Sequence, residues 1–137
     1  ATPAPTETAT APAPTVALHW VGEWVGVGGG GVKFGFDIQL TPKGDALAGR
    51  IRWKLLSVPA GHFLTNRVGD SANEFVQGSW SASTRELHLV GTSVDDNTLL
   101  ATDEYKLIVS SDGTVFDGRT KGNAGDWMNE IHGRRAD

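Results

Sequence analysis

The chain has 137 residues, 39% of them hydrophobic and 20% charged, which is enough for one ordinary domain and hardly for two. It has no cysteine, so disulfides, thiolate nucleophiles and Cys-based zinc sites are excluded. A formal net charge of −4, with only short basic clusters, argues against nucleic acid as a partner, and no apolar run is long enough to cross a membrane as a helix.

Residues 1–15, ATPAPTETATAPAPT, carry no periodicity and nothing large to bury. Repeated Pro favours extended backbone and removes donors, so this stretch reads as a disordered linker or tail, with a single domain over 16–135. The chain begins with Ala and shows no signal peptide, as expected for a processed product or a piece of a larger protein. The expected setting is soluble, either cytoplasmic within a multidomain chain or secreted after processing.

The first predicted strand is 16–25, with Leu18, Trp20 and Trp24 on one face and His19 and Glu23 on the other. GVGGGG at 26–31 reads as a hairpin tip. The second strand, 32–40, alternates most clearly: Val32, Phe34, Phe36, Ile38 and Leu40 face one way. TPKGD at 41–45 is a turn signal. The third, 46–56, points Leu47, Ile51, Trp53 and Leu55 inward and Arg50, Arg52 and Lys54 outward. Residues 58–72 form the longest irregular piece, with a short helical turn expected near His62–Asn66.

The fourth strand, 73–81, has an ambiguous phase, because Phe75 and Val76 are adjacent, and a bulge would reconcile them. The fifth, 86–92, aligns Leu87 and Leu89. The sixth, 104–110, aligns Tyr105, Leu107 and Val109. SSDGT at 110–114 is a hairpin signal. The seventh, 114–120, offers Phe116, and the eighth, 126–133, offers Trp127, Met128 and Ile131 to the core. No stretch shows sustained helical spacing. Strands with one apolar and one polar face need closure or a second layer. The expected fold is therefore all-β, about eight antiparallel strands in an up-and-down barrel, with a two-sheet sandwich as the runner-up.

Gly22-Glu23-Trp24 resembles the Gly-x-Trp signature of the calycin group, which includes avidins and lipocalins. That resemblance implies an avidin- or lipocalin-like barrel over about 16–135. It implies structural roles for Gly22 and Trp24, with Trp24 packed against a late basic residue: Arg134 or Arg135, or else Arg119. The Asn that follows the Trp in avidins is replaced by Val25-Gly26-Val27, so the implied shape does not bring biotin with it. The second half is similar to small β modules at the ends of multidomain bacterial signalling or protease chains. The features are Glu74 and Gly78, Asp95-Asp96, Asp103-Glu104-Tyr105, Gly118-Arg119-Thr120 and Gly125-Asp126-Trp127.

The chemistry-bearing residues point to recognition. The four His, at 19, 62, 88 and 132, lack metal-ligand spacing and read as surface or loop residues. Asp95-Asp96-Asn97, with Asp103 and Glu104 nearby, lacks the calcium-loop pattern and reads as turn chemistry. Glu23 and Asp37 fall on outward faces, away from any shared cleft. No Gly-x-Ser-x-Gly elbow or phosphate loop is present. No catalytic residue, metal or cofactor is therefore expected.

The five Trp each fall within a predicted strand, and they read either as core or as the lining of a pocket. The candidate ligand-binding residues are Trp20, Trp53, Trp80, Trp127 and Tyr105. The leading expectation is a non-enzymatic recognition module of a larger or processed bacterial-type protein, tethered upstream. It would bind a protein, a peptide or a small apolar molecule through the loops at 57–72 and 93–103 or the barrel mouth. The alternatives are an avidin- or lipocalin-type small-ligand binder and a small barrel enzyme with a pocket carboxylate.

Overall fold

The structure is a computed structural model that describes residues 16–26, 31–122, 127 and 129–136. The Ala/Pro/Thr segment, the centre of the GVGGGG run, most of the KGNAGD turn and Met128 lie outside the described residues. Eight strands follow one another: β1 (His19–Val25), β2 (Lys33–Lys43), β3 (Ala46–Ser57), β4 (Ser71–Ser81), β5 (Glu86–Val94), β6 (Glu104–Val109), β7 (Val115–Lys121) and β8 (Asn129–Arg135). Each pairs antiparallel with the next, and β8 returns to pair with β1 from Trp20 opposite Arg135 to Val25 opposite Glu130. That last pairing closes an up-and-down barrel, leaves no free edge and replaces the sandwich alternative.

The period-two patterns put the expected residues inside. Phe34, Phe36, Ile38 and Leu40 of β2 are buried, as are Leu47, Ile51, Trp53 and Leu55 of β3. Tyr105, Leu107 and Val109 of β6, Phe116 of β7 and Ile131 of β8 are buried with them. The outer face carries the charges, including Arg52 and Lys54. Among the described residues, helix is limited to one 3-10 turn at Thr65–Arg67, close to the predicted position.

Several details differ from the sequence reading. TPKGD is not wholly a turn: the β2–β3 ladder continues to Lys43 opposite Ala46, leaving Gly44 and Asp45 as the loop. Gly44 has φ +62°, which glycine adopts without a Cβ clash. Leu18 precedes β1 and is exposed, and β8 starts at Asn129, so Trp127 lies before it. The bulge near Phe75 belongs to β5. Phe75 faces Ser93 and Val76 faces Gly91, so Thr92 is the extra residue. A second slip sets Lys33 against Ser57 and Phe34 against Leu55.

The two ends of the barrel differ. At one end the connections are short: residues 44–45, 82–85 and 110–114. At the other lie the long ones: 26–32, 58–70, 95–103 and 122–128. Both bulges fall toward this second end, where such irregularities splay strands. Inside, an aromatic column links the two ends. Trp20 meets Phe116 edge-on at 5.1 Å between ring centroids, Phe116 stacks on Phe36 at 6.0 Å, and Phe36 meets Trp53 at 5.6 Å. Gly22 lies opposite both Phe36 and Gly133. A Cβ on Gly22 would stand 2.8 Å from the Gly133 Cα and 2.9 Å from the Phe36 ring, and one on Gly133 would stand 2.5 Å from the Phe116 ring. The bare backbone makes room for the rings. The rings pack the middle of the barrel; a space of about 290 Å³ beside Ala17, Trp80 and Val109 lies at the short-loop end, and another opens at the long-loop end.

Candidate ligand-binding cup

A cavity of about 270 Å³ opens at the long-loop end. Its aromatic wall is Trp24 from β1, Phe34 from β2 and Trp53 from β3. Leu99 and Leu100 close one side, and Glu74, Asp103, Tyr105 and Asn129 supply the polar groups. The rings brace one another edge-on, with Trp24–Phe34, Phe34–Trp53 and Trp24–Trp53 centroids at 5.7, 5.9 and 6.4 Å. Such T-shaped packing holds flat surfaces at fixed angles. Trp24 is fixed further by its indole N–H, which donates to Thr120 Oγ1 at 2.9 Å.

The floor is built around Glu74. Its neighbours in phase on β4, Ala72 and Val76, are buried core residues, so the strand period carries a carboxyl into the barrel. Glu74 is only 1% exposed, which demands partners. Oε1 accepts the Trp53 indole N–H at 3.0 Å and the Tyr105 hydroxyl, and Oε2 accepts the Asp103 backbone N–H at 2.9 Å. Burial pushes the Glu74 carboxyl above the usual range, and the three donors pull against it. Burial likewise carries the Tyr105 phenol well above its ordinary value.

Gly91 makes the arrangement fit, because a Cβ there would stand 2.0 Å from Glu74 Oε2. Asp103 sits beside this group at the rim. Burial, and then the Glu74 charge, push its carboxyl up to about 7. Among the described residues lining the cup there is no Lys, Arg or His.

The long loops are fastened across the mouth by Arg67. Its Nε donates to Asp70 at 2.5 Å, its Nη1 to Thr98 at 2.9 Å and its Nη2 to Asp96 at 2.8 Å. Asp96 also accepts the Thr98 hydroxyl and backbone N–H, and these bonds with Arg67 hold its carboxyl down at about 2. Asp95 accepts two bonds from Asn73. The Asp95-Asp96 pair thus fastens loops, and the next turn buries Leu99 over the cup.

The structure brings together two of the five candidate ligand residues, Trp53 and Tyr105, and adds Trp24 to them. Trp20 is fully buried toward the short-loop end, with its indole N–H donating to the Ala17 carbonyl at 2.8 Å. Trp80 is half-buried at the short-loop end beside Val16 and Ala17. Trp127 lies on the outer wall, with the Lys106 and Lys121 ammonium groups 4.7 and 5.2 Å from its ring. Arg134 is exposed opposite Val21, and the Trp24 indole N–H donates to a threonine, Thr120.

His19, His88 and His132 pair on the outer wall with Asp37 at 2.9 Å, Glu104 at 2.6 Å and Asp117 at 2.6 Å. The His62 ring stacks on Phe63. Among the described residues, no group of three or more His, Cys, Asp and Glu is placed to hold a metal, and no helix is long and apolar enough to cross a membrane.

Glu74 and Asp103 were not selected from the sequence as ligand contacts. The signal for Glu74 was present as its phase: it stands two residues from Val76, which is in step with Trp80. No protein family, curated protein or solved structure matches the chain. The architecture expected of a calycin-like chain is therefore shared without a detectable avidin or lipocalin relative.

Proposed function

We propose that this barrel is a binding module for a small molecule, held in the cup at the long-loop end. The supporting observation is the joining of a walled apolar space to a preorganised polar floor. Trp24, Phe34 and Trp53 surround the space, and Glu74 is held at its base by Trp53, Tyr105 and the Asp103 N–H. Sites of this composition, mostly apolar with a few fixed polar groups, suit small ligands. At about 270 Å³ the space takes a single ring system or a short chain. This reading keeps the expectation of a recognition module tethered by its Ala/Pro/Thr segment and selects the small-ligand alternative within it.

The test is binding of ring-bearing fragments, measured by saturation-transfer NMR, to the wild type and to Leu100→Trp, which enlarges a wall residue. Binding to the first and its loss in the second supports the reading. Equal binding to both, or to neither, overturns it.

A second reading rests on Phe63, which is 84% exposed in the 58–70 loop at the same end. An exposed ring beside the mouth suits a protein or peptide partner. Loss of partner binding on Phe63→Ser, with the cup intact, would favour it.

A further inference from the structure

The treatment of charge separates the cup from the rest of the barrel. Outside it, several carboxylates pair with basic side chains: Glu23 with Lys33, Asp70 and Asp96 with Arg67, and Glu104 with Lys121, while Asp37 and Glu104 also meet the His19 and His88 imidazoles; Asp95 and Asp112 are held by neutral donors. The two acids in the cup are the more deeply placed, yet no cationic side chain lines it among the described residues. The charges nearest the rim on neighbouring strands, Glu104 and Lys121, pair with each other at 3.7 Å, and Lys121 lies over the outer Trp127 ring. Asn129 of β8 adds a neutral amide. Glu74 and Asp103 therefore face each other's charge in a cup walled by three aromatic rings, and Asp103 also lines an outer opening with Glu104 and Lys121. Burying a second carboxylate without a counter-charge is costly, and Asp103 answers by holding its proton near neutrality.

Resting on the small-ligand reading above, we propose that the natural occupant of the cup is an organic cation, an ammonium or amidinium joined to a small apolar body. Its positive head would lie against Asp103 with Glu74 behind it, and its body would lie among Trp24, Phe34 and Trp53. Aromatic faces attract such heads through their ring quadrupoles, most strongly where water is excluded. A metal ion fits the same charge poorly, since calcium takes six to eight oxygens, the Glu74 oxygens already accept three hydrogen bonds, and three aromatic rings wall the cup. Binding an organic cation releases the Asp103 proton, so capture strengthens as pH rises through about 7.

The experiment is isothermal titration of the full chain with benzylammonium and with benzyl alcohol, its neutral counterpart, at pH 8 and pH 5.5. The amine stays protonated at both. The expected result is benzylammonium binding about tenfold more tightly than benzyl alcohol at pH 8, or ~1.4 kcal/mol, with most of that preference lost at pH 5.5. Asp103→Asn, checked for folding by its melting curve, should lose the preference at both pH values. Equal binding of amine and alcohol at pH 8 overturns the cation while leaving the small-ligand site standing. Binding of neither, together with failure of the wider fragment set, overturns both.

Discussion

Glu74 is the residue that most distinguishes this barrel from a plain hydrocarbon core. A carboxyl 1% exposed is tolerated because an indole, a phenol and a backbone amide converge on it, and because Gly91 leaves it the space. It was hard to read from sequence for a physical reason. An inward Glu74 followed by an outward Phe75 inverts the expected polarity at two adjacent positions, so the β4 phase looked broken. The break falls at the proposed cup, the kind of place where a local rule is overridden. Asp103 left no such mark, because its burial depends on the loop that brings Leu99 over the barrel.

Both acids have raised carboxyl pKa values in the fold, Asp103 to about 7, well above the ordinary aspartate range. For an acid with a raised pKa the protonated form favours folding, so stability is greatest below the unfolded value. It declines as pH rises from about 4 to about 7 and levels off above. Urea unfolding across this range should show that decline. Asp103→Asn should shrink it and raise stability at pH 8 by roughly 2 kcal/mol, less than half of what ~1.4 kcal/mol per unit implies because the rim is partly wet. A profile in Asp103→Asn matching the wild type would locate the titration elsewhere.

At the scale of elements, the strands were legible wherever one face was uniformly apolar. β2 alternates from Phe34 to Leu40 without exception, and β3 does so from Ile51 to Leu55. The ends were less legible. β8 begins after Trp127 because the indole is held outside by Lys106 and Lys121, a long-range contact invisible to periodicity. Asp95-Asp96 read as loop chemistry, but Arg67, the partner of Asp96, is 29 residues from it and could not be inferred. Arg67 joins the 58–70 and 95–103 loops, and it should hold Leu99 and Leu100 over the cup. In Arg67→Ala, amide hydrogen exchange should quicken across both loops while β2 and β3 keep their protection. Unchanged exchange at Leu99 and Leu100 would show that the loops hold themselves. The Asp96 arm of this clasp has a depressed carboxyl pKa, so its contribution is present above about pH 4 and fades as pH falls toward 2.

At the scale of the molecule, closure follows from eight half-apolar strands each paired with the next, and that much was legible. Whether the interior would be solid or hollow was not, because an inward Trp reads the same in either case. The barrel does both. Trp20, Phe116 and Phe36 pack against one another inside the barrel, and Trp53 begins the wall of the open long-loop end.

The five tryptophans make this division measurable in one spectrum, since each indole N–H gives its own signal. The most direct measurement is a ¹H–¹⁵N correlation spectrum recorded while a ring-bearing fragment is titrated in. Occupation of the cup should move the Trp24 and Trp53 indole signals in step and leave Trp20, Trp80 and Trp127 in place. Movement confined to Trp127 or Trp80, or no movement with any fragment, would contradict a ligand site inside the long-loop end.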